Sequence, residues 1–258
     1  MTTYLDSILE HHRAVAAADH RSIDALIAEA STMPPTRGFA AALRGQSRLA
    51  VIGEIKRRSP SKGELFGDLD PATMAQAYER GGASCLSVLT DAPHFGGSVV
   101  DLQTARAACT LPVLRKDFTV DERDVVDTRI MGADCVLLIA AALDKGEVRA
   151  FHQLATSIGL DVLVEIHDEE ELQVALDVDA TMIGVNQRDL VTFRVDHERA
   201  VRMAAVIPPN VVKVAESGVR DRQDAQSLRS AGYHAVLVGE SLVTSGDPAA
   251  AIADLCVV

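Results

Sequence analysis

Eight short apolar runs recur along the chain, at residues 49–56, 84–90, 111–118, 134–141, 161–167, 181–186, 211–217 and 235–241. Their starts lie roughly 20–35 residues apart, which leaves room for one helix in each interval. The runs are almost continuously Val, Ile and Leu rather than alternating, so both faces of each strand must be buried, as in a parallel sheet covered by helices. Eight such units with little left over predict a closed (β/α)8 barrel rather than an open sheet. The length of 258 residues agrees with the about 250 typical of that architecture.

Helix punctuation supports the same reading. Asp70-Pro71 and Asp247-Pro248 each pair an N-cap with a proline at the first helical position. Asp121 is placed to cap a helix running to Gly132, and Asp168 with Glu171 has capping-box spacing. The pairs Gly82-Ala83, Gly132-Ala133 and Gly232-Tyr233 each precede a strand, a helix C-cap recurring by structural unit. Residues 1–47 look helical, with a break at Pro34-Pro35, and are expected to lie over one mouth of the barrel. With no linker or low-complexity segment, residues 1–258 are expected to form a single domain, an α/β TIM barrel over 48–258 carrying that helical extension.

Composition removes several classes of function. A net charge of −12 repels nucleic acid and anionic membranes except where cations are concentrated locally. Only 3% of residues are aromatic and none is Trp, so there is little with which to stack bases. No run approaches the about eighteen apolar residues of a membrane span, and the amphipathic start is not a signal peptide. The four cysteines lack CxxC spacing and read as reduced residues of a cytosolic protein. The eight histidines show no HExxH or other metal spacing and read as surface or packing residues.

The cations concentrate at strand ends. In a parallel barrel, the C-terminal ends of the strands face one mouth, where active sites are built. Glu54 and Lys56 lie two apart and share a strand face. The third run ends Arg115-Lys116-Asp117, the fifth Glu165 before His167, the sixth Asn186 before Arg188, and the seventh Glu216-Ser217-Gly218. Ionised groups at the end of a buried strand need partners or a task. An ion pair would account for any one of them, but five on a single rim indicate a polar site. Ser217-Gly218 and Gly239-Glu240-Ser241 follow the last two strands, where barrels hold phosphate on backbone N–H groups. Lys56 and the loop at 59–63 are expected to add donors.

The segments IGEIKRRSPSKG, PVLRKDF, LVEIHDEEEL, IGVNQRDL, VAESGV and VLVGESL, in that order, resemble indole-3-glycerol-phosphate synthase. The resemblance runs from about residue 5 to 255, and EIKxxSPSKG with LRKDF is its most specific part. It implies a carboxy-lyase of tryptophan biosynthesis. The substrate would be 1-(2-carboxyphenylamino)-1-deoxyribulose 5-phosphate, which ring closure and loss of CO2 and water convert to indole-3-glycerol phosphate without metal or organic cofactor. By the same resemblance, Lys116 is the general acid at the ketone oxygen and Glu165 the acid/base of the dehydration. Lys56 binds substrate anion and assists proton transfer, oriented by Glu54, and Asn186 holds a sugar hydroxyl or positions Glu165. Arg188 and Ser59 fix the carboxylate and the early loop, while Glu216, Ser217 and Phe95 line the site. Gly218, Gly239 and the amides of Glu240 or Ser241 hold phosphate. His94 stands where relatives have a bulkier aromatic residue and is expected to make the anthranilate wall less apolar. Gln187 is given no part. The protein is expected to act on this small sugar phosphate as a monomer that associates at most weakly with other tryptophan-pathway enzymes. Two alternatives stand beside this one: another phosphate-binding barrel such as phosphoribosylanthranilate isomerase, which would want a Cys at a strand end, and a non-catalytic paralogue acting as a binding module.

Overall fold

In a computed structural model, residues 4–59, 63–189, 191–192 and 194–258 are described. The eight barrel strands are Ala50–Ile55, Cys85–Leu89, Val113–Lys116, Cys135–Ile139, Asp161–Ile166, Met182–Asn186, Val212–Glu216 and Ala235–Val238. All neighbours are parallel and in chain order, and the last closes on the first through pairs such as Ile52 with Leu237. Each predicted run contains one strand. The third starts only after Pro112, which has no N–H to donate. The fourth stops at Ile139, because Ala140–Ala142 turn into a 3-10 helix.

Strand pleating sorts the side chains. Ile52, Leu114, Leu137, Leu163, Val214 and Leu237 fill the barrel, whereas Val51, Val88, Val136 and Val164 pack outward under the helices. The helices begin and end largely as their caps dictate. Asp70 accepts from Thr73 N with Pro71 at the first position, and Gly82 ends that helix at φ 91°. Asp121 closes a capping box with Asp124. Asp168 does cap Glu171 N, but the Glu171 carboxylate turns instead to His167, accepting from its N at 2.7 Å and lying 3.0 Å from its Nδ1. The expected box is therefore not closed, since the preceding histidine offers two donors where Asp168 offers one.

Three helices precede the barrel: α1 (Tyr4–Ala18), α2 (Ile23–Ser31) and α3 (Phe39–Leu43). They reach both ends of it, not one mouth as expected. Phe39, Ala40 and Leu43 of α3 pack onto the inward-facing residues at the strand starts and plug the base. That plug is pinned through backbone donors: Ala40 N to Asp161 Oδ2 at 2.9 Å, and Arg37 N to Asp134 Oδ1 at 2.7 Å. Tyr4, Leu5 and Ile8 of α1 border the cavity at the opposite mouth. Between them the extension runs along the barrel wall, with Arg13 bound to Glu147 at 2.8 Å and Arg21 to Asp127 at 2.7 Å. These arginines are about half exposed and add little; the burial of Ile8, Leu26 and Ala30 holds the extension down. Among the described residues, no helix is long and apolar enough to cross a membrane.

Candidate active site

The C-terminal ends of the strands open into a cavity of about 440 Å³. Glu54, Lys56, Lys116, Glu165, Asn186, Arg188, Glu216 and Ser217 all face it. Each ends its strand on the inward-facing parity, or lies within a residue or two of that end, so the pleat aims the side chains into the mouth.

Lys116 is the hub. Its Nζ donates to Glu165 Oε2 at 2.8 Å and to Glu216 Oε2 at 2.6 Å. These carboxylates come from the fifth and seventh strands, and Lys116 comes from the third. Burial works against the lysine's charge, but Glu165, Glu216 and Glu54 outweigh it and raise its pKa above the usual value. The two carboxylates divide in the opposite sense. Burial would raise Glu165, but Lys116, His167 and its hydrogen bonds bring it below the ordinary range. Burial raises Glu216 and the charge of Glu165 adds to that, more than Lys116 takes back. Two buried carboxylates sharing one ammonium cannot ionise independently, and of the two Glu216 is the more readily protonated. Glu216 Oε1 is buried and has no hydrogen-bond partner among the described residues.

Asn186 Nδ2 donates to Glu165 Oε1 at 3.0 Å, and Asn186 Oδ1 accepts from Arg188 N at 3.0 Å. One amide thus fixes both the carboxylate and the turn that carries Arg188. Lys56 Nζ binds Glu54 Oε2, the pairing their shared face implied. Gly239 lies against that pair: a Cβ there would overlap Glu54 Oε2. The glycine expected to admit phosphate therefore also makes room for Glu54. Gly184, which sequence reasoning passed over, does the same for Glu216, since a Cβ there would overlap Glu216 Oε1. Gly184→Ala is expected to push Glu216 off Lys116, lowering kcat at least tenfold and costing about 1–3 kcal/mol by overpacking. Steady-state rates and urea unfolding check this; unchanged kcat would show that the contact does not matter.

The late loops meet at one side of the mouth. Ser217 and Gly218 both lie in the left-handed region, at φ 64° and 76°. That turns the chain sharply after the seventh strand. Ser217, a non-glycine in this region, is held by Gln187, whose Nε2 donates to Ser217 O at 2.7 Å. Gln187, whose place between Asn186 and Arg188 suggests no task, is thus a buried support of the loop. Gly239 caps the short helix Glu240–Val243, and Ser241 Oγ donates to Val219 O at 3.1 Å, tying the last two loops together. Gly218, Gly239, Glu240 and Ser241 therefore line the mouth together, with Arg220 and His197 also bordering it.

Phe95 and Phe118 line the opposite wall, their ring centroids 6.3 Å apart. Phe118 is the last residue of the LRKDF motif, to which the sequence alone attaches no task. His94 does not face the cavity: its Nδ1 lies 2.9 Å from Asp91 Oδ2, so the apolar wall is left to Phe95 and Phe118. Ser59 borders the cavity with its Oγ buried and without a hydrogen bond among the described residues. Pro60, Ser61 and Lys62 of the expected donor loop lie outside the described residues. Cys85 and Cys135 begin their strands at the opposite end from the mouth, and all four cysteines are free thiols.

Similarity to known proteins agrees with this geometry. The sequence profile of indole-3-glycerol phosphate synthase matches residues 5–255. The chain is 49% identical over 255 residues to the indole-3-glycerol phosphate synthase of Mycolicibacterium vanbaalenii, covering 98% of this chain and 93% of that one. It is 45% identical over 260 residues to the same enzyme of Leptothrix cholodnii, covering 99% of each. In fold it resembles the N-acetylmannosamine-6-phosphate 2-epimerase of Clostridium perfringens, with a TM-score of 0.59 at 13% identity, over 74% of this chain and 86% of that one. The level and extent of the sequence identity leave one assignment: the chain belongs to the indole-3-glycerol phosphate synthase family.

Proposed function

We propose that this chain is a carboxy-lyase that converts 1-(2-carboxyphenylamino)-1-deoxyribulose 5-phosphate to indole-3-glycerol phosphate. The observation that carries the proposal is the Lys116 ammonium bound between Glu165 and Glu216 at the closed end of the cavity. The reaction joins the ketone carbon to the aromatic carbon that bears the carboxylate. As that bond forms, the ketone oxygen becomes an alkoxide and must be protonated. An alkoxide is basic enough to take a proton even from a lysine whose own pKa is raised. CO2 then leaves from the ring carbon and its bonding electrons return to the ring. Water leaves last, the former ketone oxygen departing with a second proton while a proton is lost from the adjacent carbon. Glu165 is ionised and held by Asn186, which suits it to accept that last proton. Glu216, the more readily protonated of the two carboxyls, completes the relay through Lys116.

The rest of the mouth suits the rest of the molecule. The Gly218, Gly239, Glu240 and Ser241 amides are the natural seat of the phosphate. Lys56, Arg188 and Ser59 meet the anionic groups, with Glu54 orienting Lys56. Phe95 and Phe118 offer an apolar slot for the anthranilate ring. The reading needs neither a metal nor an organic cofactor.

Adding the purified protein to this substrate is expected to produce indole fluorescence without added metal. Absence of product would overturn the proposed activity.

A further inference from the structure

Two histidines far apart in sequence meet one aspartate at the rim of the mouth. His12 of α1 places Nε2 3.0 Å from Asp91 Oδ2, and His94 places Nδ1 2.9 Å from the same oxygen. The three donor atoms all lie within 4.8 Å of one another. In a tetrahedral zinc site with bonds of about 2.0–2.1 Å, neighbouring donors stand about 3.3 Å apart, so small ring rotations suffice. The Asp91 side chain is fully buried, while each histidine side chain is 18% exposed.

We propose that His12, Asp91 and His94 form a binding site for a zinc-class divalent cation that ties α1 to the loop after the second strand. Asp91 Oδ1 is already engaged, accepting from His94 N at 2.7 Å and Phe95 N at 3.0 Å, so the carboxylate is oriented to give one oxygen, Oδ2. Two imidazoles and one carboxylate oxygen are borderline donors that favour zinc, cobalt or nickel over magnesium or calcium. As the cation binds, each neutral ring keeps one proton by moving it to its far nitrogen, and a protonated ring releases one. Asp117 Oδ1, 3.9 Å from His12 Nε2, adds negative potential without being a ligand, because it accepts from Phe118 N at 2.9 Å. Water fills the fourth position. The occupied site would fix α1, whose Tyr4, Leu5 and Ile8 border the cavity, against the turn that carries Phe95.

The test is a titration of tag-free, chelator-treated protein with Co²⁺, read by its visible d–d absorption, with Zn²⁺ as competitor. One cobalt per chain is expected, displaced by zinc, with a zinc-dependent rise in Tm. His12→Ala and His94→Ala should each weaken binding by more than about tenfold, whereas the exposed His20→Ala should bind as wild type. Circular dichroism confirms that the variants are folded, and His12→Gln or His94→Gln, which keeps a polar partner for Asp91, replaces any alanine variant that is not. No cobalt bands at millimolar concentration, or wild-type affinity in the His12 and His94 variants, would overturn the site and leave the cluster as a hydrogen-bonded latch.

Discussion

Replacing Lys116 with Ala is expected to lower kcat by about 10²–10⁴-fold, the range for losing a positioned general acid, while KM changes little. The split follows from geometry. The groups assigned to the substrate's anions, Lys56, Arg188 and the late-loop amides, are other residues of the same cavity and survive its removal. Only the proton delivered as the ring closes is lost. Lys116→Arg should not restore the rate, because a guanidinium holds its proton too tightly and does not fit between carboxyls set for an ammonium. Without the ammonium, Glu165 and Glu216 face each other buried and uncompensated, so the variant should take up a proton at that pair rather than unfold. Single-turnover indole fluorescence, with circular dichroism as a fold control, checks the prediction. Near-normal turnover would remove Lys116 from the mechanism and leave the family assignment intact.

The second large effect is on stability, at the other end of the barrel. Asp134 is fully buried at the start of the fourth strand. Its carboxylate accepts from Arg37 N at 2.7 Å and Val113 N at 2.8 Å, and it pairs with Arg106. It therefore joins the extension, the third strand and a helix through one side chain. Asp134→Ala leaves a partly buried guanidinium and two amides without their acceptor, and is expected to cost about 3–5 kcal/mol. In a chain of this size that lowers Tm by on the order of 10 °C. Asp134→Asn, which keeps an acceptor but not the charge, should lose less. Urea unfolding measures both, and a loss below about 1 kcal/mol for the alanine variant would show that water replaces the carboxylate at little cost.

Where the physics is local, the sequence was readable. Strand runs, aspartate caps and left-handed glycines each depend on residues within one turn or one strand, and all eight strands lie within their predicted runs. The cavity-facing residues were legible for a related reason: strand pleating sends Glu54 with Lys56, and Glu165 with Leu163, to the same side whatever lies across the barrel. The misreadings came from distant partners. Gln187 looked idle until Ser217, thirty positions on, was beside it. His94 looked like part of an aromatic wall until Asp91 took its ring. Glu171 fitted a capping box until His167 outbid the cap.

By itself, then, the sequence determined the eight-unit barrel, the mouth that bears the charges and the motif residues that mark the family. Only the tertiary structure decided which of those charges touch. Lys116 lies 49 residues from Glu165 and 100 from Glu216, and His12 lies 79 from Asp91. No periodicity operates over such spans. Their meeting depends on barrel closure and on the path of the extension along the wall, which the burial of the whole core sets.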